Sequence, residues 1–303
     1  MYSGRIAPLI GPAIDMHEAE IEKDVRVRFG DSAQLASTII EEGDASPADV
    51  FFSQDAGALE ALDEGGLLEP LPDDVLDQVP ARFRDPDGRW VGTSARSRII
   101  AYDGRELDPE DLPESVLDFT DPEWEGRVGW APTNASLQAY VSALRATEGE
   151  EVAREWLEGM VANDVQAYES NTPVRDAIAA GEIDVGLINH YYVAQAKAEE
   201  GEDYPVDIYF PPGDLGSMLN VAGVGVLATS DRSDEALDFV RFMLGSEAQN
   251  YFVESSKEYP VIDGVAQPED VPPLEEIPSP DFDLAELGEL DETLELMQET
   301  GAL

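Results

Sequence analysis

GEIDVGLINHYYVAQ, from Gly181 to Gln195, is the stretch on which the fold turns. Its apolar run, Asp184 to Ile188, has the length of one buried strand and stops at Asn189-His190, polar residues of the kind that open a helix. Two consecutive tyrosines, Tyr191 and Tyr192, stand where a helix reaching Glu200 should begin. A strand that runs straight into a helix is the unit of an α/β sheet. Ligands of such sheets bind at the carboxyl ends of strands, beside helix N-termini that offer free N–H groups. Adjacent side chains at that corner can both face one cleft. Two phenolates are hard anionic ligands, and a trivalent cation lowers a phenol pKa from about 10 far enough to deprotonate both at neutral pH. The plain alternative for the same dipeptide is amphipathic packing with the hydroxyls in solvent.

Working outward, the same strand-into-helix form recurs. Arg127 to Ser136 (RVGWAPTNAS) is a strand entering a helix near Leu137, with Asn134 and Ser136 placed either as simple caps or as the rim of an anion site. Ser46 to Gly57 (SPADVFFSQDAG) sets Ser53, Gln54 and Asp55 at another strand end. Further strands are expected over Val25 to Phe29, Arg98 to Tyr102, Val206 to Phe210 and Val221 to Leu227. Helices are expected over Ser32 to Glu42, Ala56 to Glu64, Leu137 to Thr147, Glu150 to Asn163, Thr172 to Ala180, Tyr192 to Glu200, and Ser233 to Glu254 with a break at Gly245. Pro268 to Pro280 holds five prolines and reads as an irregular surface crossing that leads to a terminal helix, Asp281 to Glu299. Alternating strands and helices from end to end give the class α/β. At 303 residues, two lobes with repeated chain crossings fit better than one sheet. The first is expected to take residues 1–97 and 223–278, the second residues 98–222 and 279–303.

Composition removes several functions. The chain has 66 Asp and Glu against 18 Lys and Arg, a formal charge of −48. A bare nucleic-acid or anionic-membrane binder needs the opposite sign. With 43% hydrophobic residues in periodic runs, the acidity belongs to a folded chain, not a disordered one. Cysteine is absent, so no disulfide, thiolate metal site or thiol nucleophile exists. There are two histidines and no GxxxxGKS or GxGxxG loop, which leaves little to support catalysis. His190, just before the tyrosine pair, should point away from it. His17 has no evident partner, and Trp130 and Tyr140 read as packing. The arginines at strand edges, Arg5, Arg96 and Arg98, can bring positive charge to an anion or serve ordinary ion pairs. No run of about 18 apolar residues offers a membrane span. Met1-Tyr2-Ser3-Gly4-Arg5 reads as a strand already under way, so a leader or lipid-anchored segment is expected before it.

Six segments, in this order, carry a family resemblance: YSGR from Tyr2, SPADVFFSQDAGALEALDEGGLLEPLP from Ser46, ARSRIIAYD from Ala95, GRVGWAPTNAS from Gly126, AAGEIDVGLINHYY from Ala179 and NVAGVGVLATS from Asn220. Together they resemble the ferric-iron-binding proteins of ABC importers, the bacterial transferrin-like group of the class II periplasmic-binding fold. The likeness covers almost the whole chain. It implies two lobes joined by a hinge of crossing strands, with a ligand cleft between them. It implies an extracytoplasmic, non-catalytic receptor that captures Fe(III) with a synergistic anion (carbonate, phosphate or citrate) and hands it to a membrane permease and its ATPase. Tyr191 and Tyr192 then become iron ligands. Asn134, Ala135 and Ser136 match the helix N-terminus that holds the anion, with Asn171 and Asn189 as further donors and Arg5 as a cationic partner. Two positions depart from the pattern: Ile6 stands where relatives often have a histidine ligand, and Gln54 where others have glutamate. Asp55 is the available substitute, although one residue along a strand points to the other face.

The same architecture also binds polyamines, thiamine, phosphonates and oxyanions, and the losses at Ile6 and Gln54 keep those ligands open. An organic cation would use an aromatic box with carboxylates, part of which Tyr191, Tyr192 and Asp55 supply. The −48 charge is read as adaptation to a salt-rich medium, because self-repulsion opposes compaction unless salt shortens the screening length to about 3 Å near 1 M. The expected outcome is a melting temperature that climbs steeply from dilute buffer to molar salt. Equal stability in both would remove that reading.

Overall fold

Three helices in this protein begin where a short polar side chain accepts one of the free first-turn amides. Asp31 accepts from the Gln34 N–H at 3.2 Å, Asp55 from Ala58 at 3.1 Å and Asn134 from Ser136 at 3.0 Å. The computed structural model describes the chain apart from residues 202, 288 and 289. In chain order the strands are β1 (Tyr2–Ser3), β2 (Arg28–Phe29), β3 (Val50–Ser53), β4 (Trp90–Asp103), β5 (Val128–Trp130), β6 (Gln166–Ala167), β7 (Val185–Asn189), β8 (Val206–Tyr209) and β9 (Leu219–Val226). The helices are α1 (Ala7–Ile21), α2 (Ser32–Glu42), α3 (Ala56–Glu64), α4 (Asp73–Leu76), α5 (Ala135–Glu148), α6 (Glu150–Ala162), α7 (Asn171–Ala180), α8 (His190–Glu200), α9 (Ser233–Met243), α10 (Ser246–Tyr251) and α11 (Leu290–Glu299). Among the described residues no helix is long and apolar enough to cross a membrane.

The chain forms two units. The first holds Met1–Ala95, Asn220–Pro268 and a short stretch from Asp283; the second holds Arg96–Leu219, Glu269–Phe282 and the C-terminal residues. In the first unit the strand order is β2-β1-β3-β9 and then the start of β4. Strands β1, β2 and β3 are parallel, and β9 runs against β3 with Val50 opposite Val226. In the second unit the order is β8, the end of β4, β7, β5, β6. There β4 lies antiparallel to β7, with Arg98 opposite Asn189, while β5 and β7 are parallel. The core of this unit gathers Ile99, Val174, Ile178, Ile188, Val193 and Val206 between sheet and helices. Gly186 lets α7 lie directly on β7: a Cβ there would sit 2.5 Å from a Val174 methyl.

Several elements differ from the sequence reading. The long helix α1, which carries Pro8 and Pro12, was not among the expected helices. Pro8 sits in the first turn, where its missing N–H costs nothing, and the helix continues through Pro12. Strand β4 extends from Trp90, eight residues before the expected Arg98, since its polar residues are buried with partners: Thr93 donates to the Ala222 carbonyl and Ser97 to that of Ser217. The expected strand from Val25 shrinks to β2, as the Val25 amide goes to the Glu18 carboxylate. After α10 the chain makes a π-helical turn, Phe252–Ser256. The terminal helix begins at Leu290 after a short 3₁₀ turn, Leu284–Leu287; residues 288 and 289 of the expected Asp281 to Glu299 helix lie outside the described part.

The division into units also differs in detail. Arg96 and Ser97 belong to the second unit, where Arg96 reaches Ser136, and residues 220–222 to the first, where Asn220 accepts from the Ala56 amide. The proline-rich stretch 269–278 was assigned to the first lobe. It is strapped to the second, since Pro278 accepts from the Gly213 amide and Ser279 from that of Leu219.

One cluster in the first unit has a pH signature. Carboxylate oxygens of Glu60, Asp63 and Asp85 lie within 4.8 Å of one another. Burial, followed by repulsion from Asp85, Asp63 and Glu64, raises Glu60 from 4.5 to about 8, although Trp90 donates a hydrogen bond to it. The folded state therefore holds this proton more tightly than the unfolded chain, so stability is full below pH 4.5 and is lost as pH rises through about 8. Glu60→Gln should melt above the parent at a pH higher than 8 and match it near 4.5. Thermal melts across that range would decide it, and parallel pH profiles for the two proteins would refute it.

Candidate metal and anion site

Within the second unit, β5 and β7 run parallel and each delivers the chain to a helix N-terminus, α5 after Trp130 and α8 after Asn189. Asn189 stands at the N-cap of α8, yet its side chain makes no capping bond. Its amide nitrogen instead donates to Ser136 Oγ at 3.0 Å and to the Tyr191 hydroxyl at 3.5 Å. Its amide oxygen accepts from Arg98 Nη1 at 3.4 Å. Ser136 Oγ also accepts from Arg96 Nη2 at 3.4 Å, while the Ser136 amide is held by Asn134. One hydroxyl, one amide and the open first turn of α5, where Ala135 is the first residue, thus meet beside a phenol.

Tyr191 is buried and Tyr192 half-buried, with ring centroids 4.4 Å apart and planes tilted by 33°. Tyr192 packs on the hydrophobic core of its unit, so its ring is anchored from behind. Asn171, the first residue of α7, is 1% exposed, and neither its amide oxygen nor its amide nitrogen has a hydrogen-bond partner among the described residues. A buried amide with no protein partner is costly.

Electrostatically the site is positive beneath and neutral above. Arg98 is buried; desolvation foremost, and then the like charge of Arg96, pull its pKa down to about 10, while the phenols of Tyr140, Tyr191 and Tyr192 act in the opposite sense. Tyr140 packs edge-on against Trp156, as the sequence suggested for packing, but its buried hydroxyl has no hydrogen-bond partner among the described residues. Burial drives its pKa well above 10, with Arg98 as the opposing influence. Its nearness to Arg98 escaped the sequence reading because it depends on how α5 lies across β4. His190 turns inward: its Nδ1 accepts from the Ser97 amide at 3.2 Å. Trp130 stacks edge-on with Trp156. His17 lies between Phe239 and Phe242 in the first unit.

Two expected participants belong to the first unit and have other work. Arg5 forms a fully buried ion pair with Glu258 at 2.8 Å and bonds Ser94, so its charge is already matched. Asp55 spends Oδ1 on the α3 N-terminus. Gln54 bonds the Ser32 hydroxyl through its backbone amide, and Ile6 is 64% exposed.

The family model for bacterial extracellular solute-binding proteins matches residues 45–286. The chain belongs to that family. It is 35% identical to the Fe(3+)-binding periplasmic protein of Serratia marcescens, over all of this chain and 90% of that one. Among solved structures it resembles iron-bound HitA from Pseudomonas aeruginosa, with 36% identity, a TM-score of 0.92 and 99% and 98% of the two chains covered. It also resembles the Trichodesmium IdiA (FutA) protein in complex with iron and citrate, with 28% identity, a TM-score of 0.82 and the same coverage. The two-unit α/β fold is that of these solute-binding proteins.

Because the Asn171 amide has no hydrogen-bond partner among the described residues, Asn171→Leu should leave the melting temperature of the ligand-free protein unchanged or raise it. The same change should weaken retention of a small oxyanion such as phosphate, measured by calorimetry, about tenfold or more. A large drop in ligand-free stability would show that the amide is structural.

Proposed function

We propose that this protein captures ferric iron together with a small anion outside the cytoplasm and presents it to an ABC permease with its ATPase. The carrying observation is the tyrosine pair, one phenol bonded to Asn189, set beside the hydroxyl, amide and helix N-terminus that an anion needs. Fe(III) is a small, highly charged acid that prefers hard, anionic oxygen donors, and phenolates are donors of that kind. Tyr191 and Tyr192 are the metal ligands in this reading; Asn134, Ala135, Ser136, Asn171 and Asn189 hold the anion. Arg5 and Asp55, named from the sequence, are left out of the ligand set because Glu258 and the α3 amides already occupy them. The anion fills coordination positions that two phenolates leave open. Carbonate, phosphate and citrate all have the oxygen geometry for this, and the citrate in the Trichodesmium structure supports the third.

The names of the relatives support iron over the organic cations, phosphonates and oxyanions that the same architecture accommodates. They are solute-binding proteins, in line with a receptor that performs no turnover. Titration with ferric citrate in high salt should give a tyrosinate-to-iron charge-transfer colour, lost in Tyr191→Phe and in Tyr192→Phe. A protein that stays colourless, with an unchanged melting temperature in ferric citrate, would sink the iron reading.

A further inference from the structure

Three arginines in this protein, Arg5, Arg96 and Arg98, are buried almost completely, and the first and last of them are provided for in opposite ways. Arg5, in the first unit, has a carboxylate: Glu258 at 2.8 Å, itself fully buried. Arg98, in the second, has none within ion-pair distance among the described residues, in a chain with 66 acids. Its acceptors are neutral, the Leu187 carbonyl at 2.6 Å from Nη2 and the Asn189 amide oxygen at 3.4 Å from Nη1. After burial, the group that acts on it most is the Tyr140 phenol, followed by another cation, Arg96, and then by the phenols of Tyr191 and Tyr192. A buried charge is costly unless it is paired, so a folded protein does not keep one without a compensating use.

Geometry supplies the use. Arg98 lies opposite Asn189 in the β4–β7 ladder, and by holding the Asn189 oxygen it fixes which way the amide faces. The nitrogen is thereby aimed at Ser136 Oγ and the Tyr191 hydroxyl. The same guanidinium stands under the place where the bound state gathers negative charge.

We propose that Arg98 is a positioning residue and standing counter-charge for the tyrosine site: it orients Asn189, and its own charge stays unbalanced until an anionic ligand set assembles above it. The proposal rests on the iron reading for the identity of that ligand set, not for the imbalance itself. It makes affinity and ligand-free stability pull in opposite directions at one residue.

The experiment uses the full chain in high salt and compares the parent with Arg98→Gln, which keeps an amide donor but no charge, and Arg98→Lys, which keeps the charge. Melting temperatures are measured without ligand and with ferric citrate, and affinity by titration. Arg98→Gln is expected to melt at or above the parent when ligand-free and to bind ferric citrate about tenfold more weakly or worse, while Arg98→Lys recovers most of the affinity. A ligand-free Arg98→Gln that melts below the parent or fails to fold would overturn the proposal, as would unchanged affinity. If the parent itself shows no response to ferric citrate, the iron reading falls alone. The ligand-free comparison then still decides whether Arg98 carries an unbalanced charge.

Discussion

The hydrogen bond from the Asn189 amide to Ser136 Oγ is the contact around which the second unit is organised. It joins the ends of two parallel strands, β5 and β7, at the point where each becomes a helix. Parallel pairing forces both helix N-termini to the same edge of the sheet, and their first-turn amides point outward there. Asn189 would ordinarily cap its own helix. Giving up that cap costs about 1 kcal/mol by the usual measure of N-cap changes. What the side chain gains is a fixed bridge between the phenol of Tyr191 and the first turn of α5.

Much of this was legible locally. Tyr191 and Tyr192 follow a buried apolar run, and Asn134 precedes a helix, so sequence distance and spatial distance coincide. Helix α2 follows a short acidic cap residue, Asp31, of the kind that favours a helix start. Illegible features were those decided by partners far along the chain. The polar centre of β4 reads as an interruption until Ala222 and Ser217 are found to satisfy Thr93 and Ser97. Asp55 looks like a free carboxylate at a strand end, and only the start of α3 shows that it is consumed. Arg5 and Arg98 look alike in sequence, one with its carboxylate 253 residues away and the other with none among the described residues.

That contrast also bears on the net charge of −48. Carboxylates in such number act on solvent and salt through the surface, and they do not neutralise the interior on average. A buried group responds to the few atoms within reach, in a medium of low effective dielectric. Near the tyrosine pair those atoms are phenols, amides and guanidinium groups, so the local character of the site is opposite in sign to the molecule that carries it.

The arrangement of the chain has a consequence for how the molecule is made. Each unit is assembled from separated stretches, and the last residues return to the second after a short visit to the first. Helix α11 packs on α5, and its Thr293 meets both Ser142 and Arg145. Neither unit has all its parts until synthesis is nearly finished, so this protein cannot fold one piece at a time from its leading end. Until its last residues are made, the growing chain still lacks part of what closes each unit, so completion of the two comes together at the end.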